Sequence, residues 1–140
     1  MTTNAISSHG TLVKMADRAT HVTLATIAEL LDIKGPKISG QREDATHHGS
    51  GGWVEKISVM KDGGKVTFDL QFVAAEATHN KTTGMVAAAL AQTKEKFQIV
   101  FPDSSGFEFW AYVDTEFEAK VKGKLTASIE LDITGALTPL

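Results

Sequence analysis

The chain has 140 residues, 42% of them hydrophobic, a formal net charge of −3 and no cysteine. This suits one domain with a real core and excludes disulfides, a thiolate nucleophile and a Cys-ligated metal. The acidic balance argues against a general nucleic-acid binder, which needs a basic patch to neutralise phosphates, but not against nucleic acid passing a surface that does not hold it.

In chain order, residues 1–10 read as a flexible N-terminal arm. The arm is polar and lacks the basic-then-apolar order of a secretory signal. No apolar run is long enough to cross a bilayer, so no membrane partner is expected. Residues 11–16 suit a first strand and 17–20 a turn. Val22 to Ile33 is a second apolar segment, stopped by Gly35-Pro36. Residues 39–52, Ser39, Gly40, Gln41, Arg42, Glu43, Asp44, Ala45, Thr46, His47, His48, Gly49, Ser50, Gly51 and Gly52, form a long polar, glycine-rich stretch. It reads as a functional or mobile loop.

Two alternating segments then flank Lys61-Asp62-Gly63-Gly64, the signature of a tight hairpin. The second puts Val66, Phe68, Leu70 and Phe72 on one face and Lys65, Thr67, Asp69 and Gln71 on the other. Thr78 to Thr93 reads as a helix capped by Thr78, with Met85, Val86, Ala89 and Leu90 on its apolar face. Residues 97–101 and 107–117 read as strands around a turn at Pro102 to Gly106. Leu125 to Ile133 alternates cleanly, with Thr126, Ser128, Glu130 and Asp132 on its polar face. Residues 136–140 read as a short tail. The expectation is a mainly β (α+β) domain over 11–135, built of several antiparallel strands and one helix.

Among candidate sites, Glu43, Asp44, His47 and His48 have metal-ligand or acid–base chemistry. Adjacent histidines in an extended chain point to opposite sides, however, and there is no HExxH spacing. A small metal-dependent enzyme using Asp44, His47 and His48 is the minor alternative; a solvated or partner-contacting loop is preferred. There is no G-x-S-x-G and no P-loop, and Gly49 to Gly52 reads as a hinge. Trp53, Trp110 and Tyr112 suggest a stacking platform for bases or sugars, but the acids around the latter two favour packing. No catalytic residue, cofactor or metal is assigned.

The chain resembles the tail tube (major tail) proteins of long-tailed, non-contractile, lambda-like bacteriophages. The residues that carry the resemblance are Ile33-Lys34-Gly35-Pro36 with Ser39; Asp44 with Thr46-His47; Gly52-Trp53 with Glu55; Lys61 to Gly64 with Phe68 to Phe72; Ala77-Thr78-His79; Phe97 to Asp103; and Gly123 to Ile129 through Ile133-Thr134-Gly135. They run in the family's order over nearly the whole domain. The resemblance implies a two-sheet β-sandwich flanked by a helix, and hexameric rings stacked into the virion's tail tube, through which DNA leaves the capsid. It implies as partners the chain itself and tape-measure, tail-terminator and baseplate or tail-tip proteins, with assembly in the host cytoplasm. It also implies that residues 39–52 form an assembly loop that reaches a neighbouring subunit or the next ring. Thr67, Asp69, Gln71, Thr126, Ser128, Glu130 and Asp132 are the expected lumen wall, because a bore that lets a polyanion slide should not be basic. The tube of a contractile injection machine is the nearest alternative.

Overall fold

The computed structural model describes Thr3 and residues 5–140. The strands are β1 (Leu12–Ala16), β2 (Leu24–Thr26), β3 (Leu30–Lys34), β4 (Ser39–Asp44), β5 (Lys56–Asp62), β6 (Lys65–Gln71), β7 (Glu95–Val100), β8 (Gly106–Ala119) and β9 (Leu125–Pro139). The helix, α1, is Met85–Ala91. Two unequal antiparallel sheets result: a seven-stranded one in the order β2-β1-β7-β8-β9-β6-β3, and the pair β4-β5.

Period-two burial builds the larger sheet. Val13 and Met15, Phe97 and Ile99, Phe109, Ala111 and Val113, Ala127, Ile129, Leu131 and Ile133, and Val66, Phe68 and Leu70 all belong to one core. The ladders put them on one face: Met15 opposes Phe97, Phe97 opposes Phe109, Val113 opposes Leu131, and Leu131 opposes Val66. In a flat sheet β3 and β7 would lie about 19 Å apart, four strand spacings. Here they line one cleft, so the sheet rolls over its own apolar face. Gly35 permits the chain leaving β3 to lie close against β6. At φ +108 it abuts the Lys65 carbonyl, where a Cβ would clash.

Several expectations change. Lys61 to Gly64 does turn, with Gly64 N donating to Asp62 Oδ1 at 2.8 Å, but the flanking strands do not pair. β5 pairs with β4, and β6 with β9 and β3. The stretch 39–52 is therefore no simple loop, since Ser39–Asp44 is a strand. The 22–33 segment splits at Ala28–Glu29, Glu29 having φ 59.

The helix begins seven residues later than Thr78. Asn80 Oδ1 accepts the backbone N–H of Thr82, Thr83 and Gly84, an alternative to helical bonding that Asx residues offer. Its buried face is Met85, Ala87 and Ala88, whereas Leu90 is 75% exposed. Residues 136–140 are not a loose tail: β9 runs to Pro139 against Phe107, and Leu140 N donates to Gly106 O at 2.9 Å. Of the N-terminal arm, Met1, Thr2 and Asn4 lie outside the described residues.

Candidate functional site

Two surfaces stand out. The first is the outer face of β6, β9 and β8. Thr67 opposes Glu130, Asp69 opposes Ser128 and Gln71 opposes Thr126. The predicted wall residues thus share one face. β8 extends that face with Tyr112 opposite Asp132, Asp114 opposite Glu130, Glu116 opposite Ser128 and Glu118 opposite Thr126. Sequence reasoning did not group Asp114, Glu116 and Glu118 with this face; their alternation with Val113, Thr115 and Phe117 carried the signal.

Like charges facing each other across strands repel. Lys65 offsets part of this. Its ammonium reaches Glu130 Oε1 at 2.5 Å, and the hydrogen bond to Glu130, the Glu130 charge, Asp132 and Asp114 raise its pKa. Ser128 Oγ donates to Asp69 Oδ1 at 2.6 Å. Further along the sheet, Lys96 and Gln98 hold the Glu108 carboxyl below the usual range. The result is a polar, net acidic surface across β6, β9 and β8.

The second surface is the β4–β5 arm. All of β5 is exposed. The register shifts by one residue between Gln41 and Arg42, leaving Val59 without a partner on β4, as a β-bulge does. At the tip, His48–Ser50 forms a single 3-10 turn. Asp44 Oδ1 accepts from Thr46 N at 2.8 Å, and His47 Nδ1 accepts from Gly49 N at 2.9 Å. His47 Nε2 lies 3.6 Å from Glu55 Oε2. Asp44 and His47 are thus engaged in local turn geometry. Among the described residues no group of His, Cys, Asp or Glu converges on a metal position. Trp53 sits on this tip, while Trp110 and Tyr112 lie on β8; Trp110 packs against His21 at 5.0 Å between ring centroids and under Lys94.

Two buried polar groups support the scaffold. Glu95 accepts from Arg18 Nε at 3.1 Å and meets His21 Nε2 at 2.8 Å. His79 Nδ1 accepts from Val73 N at 3.2 Å, and its Nε2 donates to Ala28 O at 2.7 Å. Those partners fix the neutral Nε2–H tautomer.

No protein-family profile and no curated protein matches the sequence. Solved structures do. The tail of an empty gene transfer agent particle, refined with helical and C6 symmetry, contains a chain with TM-score 0.74 and 20% identity, over 96% of this chain and 98% of that one. The SPP1 tail tube gives TM-score 0.72 and 12% identity, over 96% of this chain and 78% of that one. A chain of the anti-feeding prophage baseplate gives 0.66 and 12%, over 100% and 97%. The chain shares the fold of these three chains over 96% or more of its length.

Proposed function

We propose that this protein is a structural subunit of a bacteriophage-type tail tube, not an enzyme. Copies join into hexameric rings, and the rings stack into a tube in the virion tail that conducts DNA. The observation that carries this reading is the end-to-end likeness to a tail chain refined with C6 symmetry. Two physical features support it. β2 and β3 leave free edges on the larger sheet, and free edges pair with other chains unless something covers them. The acidic wall is the face expected of a bore that repels DNA. Tape-measure, tail-terminator and tail-tip proteins are the partners such a tube requires at its axis and ends.

Electron microscopy of the concentrated purified protein tests the reading. Regular hollow tubes are expected. Globular particles at every concentration, also in the presence of preformed tail tips, would overturn it. An outer sheath on tubes isolated from the native source would move the protein to a contractile machine.

A further inference from the structure

Two unpartnered features of this chain complement each other. The first is the arm tip, where Trp53 is 79% and Val54 69% exposed. A lone two-stranded hairpin has no core in which to seat an indole. The second is a cleft of about 850 Å³ between the free-edge strand β3 and residues 6–11. Its floor is Ile99, Phe101 and Pro102, and Leu31 on its wall is exposed.

We propose that the Trp53–Val54 tip of one copy docks into the β3 cleft of a second copy. This rests on the tube reading above and names the contact by which one subunit engages the next. The cleft falls within the ~300–1,000 Å³ typical of sites that enclose a bound group, room for an indole and its flanking backbone. β3 offers unpaired backbone groups along the cleft, so an extended segment at 53–54 can add to that edge while its side chains fill the floor. Lys56 follows the tip and Asp32 stands on the cleft wall, so their charges attract. Tryptophan is the residue type most often found as a buried anchor at interfaces. Tip and cleft are different surfaces of the same chain. Their contact is therefore heterologous and repeats from copy to copy instead of closing a pair.

The chain has no cysteine, so introduced thiols report cleanly. Val54→Cys subunits and Leu31→Cys subunits are co-assembled and oxidised. Disulfide-linked dimers holding one of each are expected, with none from either variant alone or from Val54→Cys mixed with Val121→Cys. A second readout uses Trp110→Phe, which leaves Trp53 as the sole indole: its emission should move to shorter wavelength on assembly. Tubes without the Val54–Leu31 cross-link, or with unshifted emission, would overturn the docking and leave the tube reading standing. Failure of the unmodified chain to form tubes would overturn both.

Discussion

Ser128 and Asp69 are joined by a 2.6 Å hydrogen bond across the β9–β6 ladder, on the outer face of the sheet. The bond fixes one carboxylate of a wall that also carries Asp114, Glu116, Glu130 and Asp132. Both side chains are exposed, so this face acts through the charge it presents. Asp69→Lys combined with Glu130→Lys should leave subunits folded and tubes formed, while DNA release through the tube slows. Ejection kinetics measure this, and an unchanged rate would remove these residues from the bore.

Arg18 and Glu95 make a different kind of pair. The Glu95 side chain is 3% exposed, and a buried carboxylate stripped of its partner is costly. Because Arg18 is partly exposed and His21 remains, Arg18→Ala should destabilise the fold by about 1–3 kcal/mol. Urea unfolding reads this directly. A change no larger than that of an ordinary surface substitution would show the pair to be dispensable.

Asp17 closes the β1–β2 turn by accepting from the backbone of Thr20, Val22 and Thr23 and from the Thr20 hydroxyl. These bonds, led by the Thr20 hydroxyl, hold its carboxyl far below the usual range. A depressed folded-state pKa stabilises fully above the unfolded value of ~3.9 and is lost as pH falls below it. Asp17→Asn should therefore be less stable than the parent at neutral pH, with the gap narrowing progressively below about pH 4. Unfolding midpoints across that range test the sign; a gap that widens in acid would contradict it.

The exposed arm gives a cleaner separation of folding from assembly. Replacing residues 40–61 by a short glycine linker removes no residue of the core. The shortened subunit should unfold near the parent's midpoint and fail to polymerise. Normal tubes from it would exclude the arm from assembly.

The sequence disclosed those strands whose alternation records burial against the domain's own core. β6 and β9 are the clearest, and their polar faces were legible as one wall. The rest was hidden for physical reasons. β5 alternates like β6, yet its whole length is exposed, so its alternation does not record burial against the core. The turn at Lys61 to Gly64 was visible, but local turn chemistry does not say which distant strand each arm pairs with. The end of β9 was masked by Gly135, which sits at φ 82 where the β8–β9 register slips between Glu108 and Trp110. A glycine in a bulge reads as a strand end. The cleft beside β3 was invisible, because its walls come from segments far apart in the chain.

A helical reconstruction of the assembled protein by electron cryomicroscopy tests the central claim most directly. The account predicts rings of six subunits with Asp69, Asp114, Glu116, Glu130 and Asp132 directed toward the axis of an open bore. A tube with that face on its outer surface, or an assembly without a ring, would contradict it.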